Sequence, residues 1–259
     1  MPTEITTELV KELRDATGIS VMQCKRALEE SGGEMNKALA ILKKTSSDIA
    51  LKKKDRELKA GRVVIKNKDN KSVLVSLCCE TDFVAKNEDF INLLEQLSNK
   101  ALVEGIEKMK IGAKELIDPI IQKTGENIGL GEVYELEGII VGSYVHNNKM
   151  AVMVSLEGGS QKLAKDVAMH VTAMKPEYIQ ASDIGEEVKK TIMEVFQKEV
   201  DNIDKPEAIK KKMLDGKISV YFKERTLLDQ SFIKNGDETV GQLLEKNKAM
   251  IKEIKKYSI

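Results

Sequence analysis

The chain has 259 residues, with 42 Lys and Arg against 42 Asp and Glu, two His, three Cys, five Phe, five Tyr and no Trp. A hydrophobic share of 41% is enough for a real core, in one large domain or two to three small ones. The charge balance excludes a surface tuned throughout to nucleic acid or acidic membrane, so any partner must be recognised locally. No apolar run approaches the roughly 18 residues of a spanning helix. The opening MPTEITTELVKELR is acidic where a signal or transit peptide is basic. The expected address is the cytoplasm.

Residues 1–45 predict three short helices. Ile5, Leu9 and Leu13 form one apolar stripe, with Thr6 as N-cap and a stop at Thr17 and Gly18. Ser20 and Gln23 form a Ser-x-x-Gln capping box for the next, whose inward face is Val21, Cys24 and Leu28 and which Gly32 and Gly33 end. Met35, Ala38, Leu39 and Leu42 mark the third. Residues 46–60 are expected to be a basic linker, the centre of a stretch carrying Lys43, Lys44, Lys52, Lys53, Lys54, Arg56, Lys59 and Arg62. Such a stretch fits either a solvated helical connection or an RNA- or ribosome-binding surface, and no aromatic is interleaved for base stacking.

The period then switches to two. RVVIK at 62–66 and SVLVSLC at 72–78 flank Asp69 and Asn70 and predict a hairpin. A helix follows with Phe90, Leu93, Leu94, Leu97 and Ala101 inward and Asn87 as its cap. GENIGLGE at 125–132 lacks the order of a phosphate loop and is expected to be a loop. The hairpin-plus-helix order returns: EGIIVGSYV at 137–145 and MAVMVSL at 150–156, then a helix with Leu163, Val167, His170, Val171 and Met174 on one face. VLVSL at 73–77 and VMVSL at 152–156 match almost letter for letter, which predicts two related halves, 61–136 and 137–185. Residues 186–228 carry stripes of Val188, Ile192, Val195 and Phe196, then Ile209, Met213, Val220 and Leu227, broken at Asp204 and Pro206, and predict an antiparallel helical hairpin. Residues 229–259 are expected to return to the core as a strand, SFIKN at 231–235, and a helix over 239–255. The fold class is α+β.

Chemistry has few carriers. The cysteines have no CxxC spacing and are expected to be buried or half-buried hydrophobes; no HExxH helix, nucleophile elbow or GxxxxGK[ST] loop occurs. Neither a catalytic nor a metal site is expected. An enzyme using Cys79 with Asp82 would lack a base at any recognisable spacing. CCETDFVAKNEDF at 78–90 stands out because it joins strand to helix. It reads in two ways: a capped helix start with Thr81 or Asp82 as cap and Phe83 packed as a staple, or an exposed acidic and aromatic tip that enters a partner.

EITTELVKELRDATGISVMQCKRAL at 4–28, CETDFVAKNEDF at 79–90, GSYVHNNK at 142–149, AMHVTAMKPEYI at 168–179 and TVGQLL at 239–244 closely resemble, in order, the signature segments of the elongation factor Ts family. The resemblance implies a UBA-like three-helix domain at 1–45, a two-subdomain dimerisation-type core and a coiled-coil hairpin at 186–228. It also implies a guanine nucleotide exchange factor that binds elongation factor Tu, GDP-bound or nucleotide-free, as a heterodimer or a larger assembly of such pairs. No cofactor, membrane or direct nucleic-acid contact belongs to that picture. Thr81, Asp82, Phe83 and Val84 match the motif that dislodges Mg2+ from elongation factor Tu, while Arg14, Met22, His146 and His170 match partner-binding positions. His170 also lies on an apolar helical stripe and His146 in a polar turn. Two departures stand out: Val21 replaces the first of the family's paired methionines, and KAMIKEIKKYSI follows TVGQLL where long members continue through FxRFEVGEG.

Overall fold

The structure, a computed structural model, describes residues 5–259; the first four residues of the expected 1–45 domain, with Glu4 of its signature segment, lie outside them. The chain divides into two units. The first runs through Leu136 and takes in Val145–Ala151 and Lys256–Ile259; the second is Glu137–Tyr144 with Val152–Lys255.

The first unit opens with α1 (Thr7–Thr17), α2 (Val21–Glu30) and α3 (Met35–Lys53). Thr6 caps α1 by accepting the Leu9 N–H, and Gly18 ends it in the left-handed region at φ 68°, its N–H donating to the Arg14 carbonyl at 2.7 Å. Val10, Leu13, Ile19, Cys24, Ala27, Leu28, Ala38 and Leu42 form the core of this bundle. Two expected core residues are exposed, Val21 and Leu39; Val21 is the first residue of its helix, where the packed face has not yet begun. The capping box is half made. Ser20 accepts the Gln23 N–H, but the Gln23 side chain takes the Ser20 hydroxyl instead of reaching the Ser20 backbone.

α3 runs straight through the expected boundary at 45. Its second half lies on α6 (Ile106–Thr124), where the Ser47 hydroxyl donates to Asp118 at 2.7 Å and Ser46 bonds Gln122. Only residues 54–59 connect α3 to the first strand. The helical reading of this stretch therefore holds for residues 46–53, but they pack on a helix distant in sequence instead of being solvated, which a local reading could not show.

β1 (Ala60–Lys68) and β2 (Lys71–Cys79) pair antiparallel with Val64 opposite Val75, closed by Asp69, at φ 52°, and Asn70. β3 (Ile128–Glu137) completes a sheet of order β1-β2-β3. Against it lies α5 (Glu88–Glu104), capped by Asn87 as its sequence predicts, with Phe90, Leu93, Leu94, Leu97 and Ala101 all buried beside Val73, Val75 and Leu77. Each of the larger of these side chains contributes about 1.5–3 kcal/mol by leaving water. The expected loop at 125–132 is a correction: Gly125 closes α6 at φ 76° and Ile128 already begins β3.

In the second unit β4 (Ile140–His146), β5 (Met150–Glu157) and β8 (Met250–Ser258) form a sheet of order β4-β5-β8, some of whose terminal residues belong to the first unit. α7 (Gln161–Met174), capped by Ser160, buries Leu163, Val167, His170 and Val171, whereas Met174 at its last position is exposed. Gly142 in β4 passes so close to the Ala164–Lys165 backbone of α7 that a Cβ would strike it, which is why a glycine stands there. Both units therefore contain a hairpin followed by a helix, completed by β3 in one and β8 in the other.

α8 (Glu186–Asp201) and α9 (Glu207–Arg225) form the expected helical hairpin. It is antiparallel, since Phe196 meets Tyr221 at 5.6 Å between ring centroids and Glu199 pairs with Lys217 at 2.6 Å. Its stripes are only partly covered: Val200 alone is buried, and Val188, Val195, Ile209 and Val220 are exposed. Leu227 lies past α9, in a buried 3-10 turn. The return segment is a small hairpin of β6 (Ser231–Phe232) and β7 (Asn235–Thr239) rather than one strand. The helix expected over 239–255 is a second correction. α10 (Val240–Lys246), opened by a Thr239–Gln242 capping box, stops after two turns; the backbone turns through Asn247 and Lys248 (φ 51°), and β8 follows.

Candidate functional site

The corner between β2 and α5 is built around α4 (Asp82–Ala85), a single helical turn. Thr81 is its N-cap: the hydroxyl accepts the Val84 N–H at 3.4 Å. Val84 and Ala85 are buried in the first unit's core and anchor the turn from below. Phe83 points the other way and is 88% exposed. The capped-start reading is therefore right about Thr81 and wrong about the staple. The Phe83 ring is thus left in water on a structured turn instead of joining the core.

Two carboxylates hold the corner. Glu126 takes the Thr81 hydroxyl at 2.6 Å and the Thr81 N–H at 2.9 Å on its two oxygens. In return Glu80 accepts the Asn127 N–H at 2.6 Å, and Arg56 lies 3.3 Å from the same carboxylate. The Asn127 amide donates to the carbonyls of Arg56 and Lys54 at 2.9 and 3.3 Å. The Asn127 N–H, then the Arg56 guanidinium, hold the Glu80 carboxyl below its ordinary range. Asp82 is exposed and bonded to the Lys149 ammonium at 2.6 Å, which likewise lowers its pKa.

Lys149 belongs to the turn that closes β4 and β5. Asn147 and Asn148 both adopt positive φ, 50° and 56°, as a two-residue hairpin turn of the primed type requires. His146 begins this turn, exposed, with the Asn147 amide 3.2 Å from its Nε2. The structure thus brings the turn carrying His146 to Asp82, through Lys149. Arg14 and Met22 are exposed on the three-helix bundle, Arg14 beside Val10, Lys11 and Lys25 in a groove of about 350 Å³, and neither bonds to the corner among the described residues.

His170 is a different case. It is fully buried, its Nε2 2.9 Å from the Gln230 carbonyl oxygen and its Nδ1 accepting the Ile233 N–H at 3.2 Å, with Phe232 stacked at 5.9 Å. The Gln230 amide donates to the Glu224 carbonyl, which fixes its orientation and so the neutral Nε2–H tautomer of the imidazole. Burial lowers its pKa. The expected partner contact is corrected: in this fold His170 is an interior residue, and of the two readings its apolar stripe allowed, the core one holds.

Nucleophilic chemistry has no footing at the corner. Burial pushes the Cys79 thiol up to about 12, and its Sγ donates to the Thr81 carbonyl at 3.2 Å. Cys24 is buried and Cys78 half-buried, as expected. Among the described residues no group of three or more His, Cys, Asp and Glu is gathered as a metal site, and no helix is long and apolar enough to cross a membrane. Glu126, Asn127 and Arg56 are neighbours of the corner that sequence reasoning did not place there; Glu126 lies 45 residues from Thr81, beyond any local pattern.

The corner, the turn at 146–149 and α10 all lie within residues 80–259, which match the family model described as Elongation factor TS. Over 262 aligned positions the chain is 37% identical to "Elongation factor Ts" of Hahella chejuensis, covering 98% of this chain and 92% of that protein. Its identity to the protein of the same name from Teredinibacter turnerae is 38%, covering 98% and 90%. For that of Pseudomonas paraeruginosa the figures are 35%, 99% and 91%. Likeness of this extent, running through the strand-to-helix corner and the three-helix bundle alike, makes the chain a member of the elongation factor Ts family, a translation elongation factor.

Proposed function

We propose that the protein is a guanine nucleotide exchange factor that acts on elongation factor Tu in the cytoplasm. It binds the GDP form, displaces Mg2+, releases GDP and leaves as GTP enters, making and breaking no covalent bond. The observation that carries this reading is Phe83, 88% exposed at the apex of a turn whose base is tied down by four hydrogen bonds: the Thr81 N–H and hydroxyl to Glu126, the Val84 N–H to the Thr81 hydroxyl and the Asn127 N–H to Glu80. Within the motif, Phe83 is the wedge and Asp82 steers polar groups beside it. Thr81 and Val84 hold the turn. Arg14 and Met22 on a UBA-like bundle grip the partner at a second place, and His146 contacts it from the turn next to Asp82. A dimerisation-type core and a coiled-coil α8–α9 hairpin complete the architecture, in a 1:1 complex or an assembly of such pairs.

Magnitudes set the division of labour. Burying a phenylalanine gains about 1.5–3 kcal/mol, and each tenfold in rate needs about 1.4 kcal/mol. The wedge thus supplies about one to two decades of GDP release, and loss of the cation that neutralises the phosphates supplies the rest. Coupling is reciprocal, so GDP weakens the factor's grip as the factor weakens that of GDP. The RNA-binding reading of 43–62 loses ground, because Lys43 pairs with Glu115, Lys53 bonds the Gly125 carbonyl and Arg56 lies on Glu80. Release of a fluorescent GDP from elongation factor Tu tests the exchange reading: acceleration at stoichiometric factor is expected, and its absence overturns it.

A further inference from the structure

We propose that Glu126 is a positioning residue for the exchange tip, which it holds by a bidentate grip on the amide and hydroxyl of Thr81. This deepens the exchange reading and rests on it. The geometry is specific. A wedge gains from its apolar burial only what is left after its own ordering, so a tip fixed before contact spends less of that energy on binding. Thr81 is the cap of a helix only four residues long, and a single turn is not stable by itself. Something outside the turn must hold it. Val84 and Ala85 anchor one side, and Glu126 supplies the carboxylate on the cap residue, with oxygens at 2.6 and 2.9 Å.

The grip is doubled. Residues 80–81 and 126–127 exchange bonds in both directions, since Glu80 accepts the Asn127 N–H while Glu126 accepts the Thr81 N–H. Asn127 is further tied to the carbonyls of Lys54 and Arg56. The strand-start at 126–128, read from sequence as a loop, is thereby a brace for the corner. Glu126 itself is half-buried and touches no partner in this role. It acts through Thr81.

Glu126→Gln keeps the volume and the acceptor for the Thr81 N–H but removes the charge and puts an amide donor on the Thr81 hydroxyl, which must then accept instead of donate, so two charge-assisted bonds become weaker neutral ones and the hydroxyl proton loses its acceptor. Titrating elongation factor Tu·GDP with this variant should lower the saturating GDP-release rate about tenfold, or about 1.4 kcal/mol, while the half-saturating concentration stays within about twofold. A residue that only contacted the partner would move the half-saturating concentration instead. The free protein supplies the second readout: the Thr81 amide should exchange with deuterium at least about tenfold faster in Glu126→Gln, at an unchanged melting temperature. Glu126→Asp, one methylene short of the grip, should show the same pattern if the Gln variant folds poorly. Unchanged Thr81 protection in both variants overturns the proposal. So does a faster-exchanging Thr81 amide with an unaltered saturating rate. If the unmodified protein fails to accelerate GDP release, the exchange reading falls, while Thr81 protection still decides whether Glu126 fixes the tip.

Discussion

The two hairpin-plus-helix segments share nearly identical strands, VLVSL and VMVSL, yet leave them differently. After β5 the chain crosses from strand to helix through residues 157–160, with Gly158 and Gly159 at positive φ and Ser160 as the cap. After β2 the same crossing takes residues 78–87 and holds an extra capped turn, α4, with Phe83 outside it. One crossing is the shortest route onto a helix. The other spends additional residues, two carboxylate clamps and a lysine partner on keeping one ring in water. The two similar segments thus differ most at the crossing that carries the proposed exchange tip.

That contrast can be broken from either side. Gly142→Val should cost most, about 3 kcal/mol in urea unfolding, because its Cβ enters the α7 backbone; an unchanged midpoint would mean that the second segment tolerates what its close packing forbids. Phe83→Ala should do the opposite. It is expected to slow GDP release by about one to two decades while retaining binding and shifting stability by less than about 0.5 kcal/mol; undiminished release would remove the wedge. In the second segment His170 should instead report in acid. Its folded pKa lies below the ordinary 6.5, so as pH falls under 6.5 the unfolded chain takes up the proton first. Stability present above that value declines until the folded imidazole also titrates, and replacing His170 with Gln should flatten this acid slope in unfolding curves at pH 7.5 and 5.5. Smallest is Lys149→Met, which frees Asp82. Unfolding curves should barely move, because an exposed pair is screened by water, and the Asp82 carboxyl should titrate at higher pH in NMR.

Much of this was legible. Thr6 and Gly18 around α1, Asn87 before α5, the two hairpins and the α8–α9 pair all carry local signals, and the structure places them where those signals stand. The failures have one physical origin. MIKEIKKYS favours helix by its Lys and Glu, but β8 exists because an adjacent strand offers hydrogen bonds, a tertiary term that overrides propensity. Ile128 reads as a loop residue for the same reason, and 46–53 as a linker. At the site, the signature around Thr81 was visible and its support was not, since Glu126 and Arg56 are placed by the fold alone. Composition could not separate a packed staple from an exposed ring for Phe83; its burial does.

The α8–α9 hairpin has a consequence for how the molecule comes apart. An element with Val200 as its one buried residue has little to lose by opening, so its amides should exchange long before those of α7, at a free energy well under that of global unfolding. The opening should stop at the root. There Arg225 lies 3.7 Å over the Tyr221 ring and pairs with Glu177, and the Arg225 carbonyl takes the N–H groups of Glu177 and Tyr178. A protease given the native protein would nick the hairpin near residues 202–206 and leave the rest folded, a fuse at the edge of the factor that fails before its working parts do.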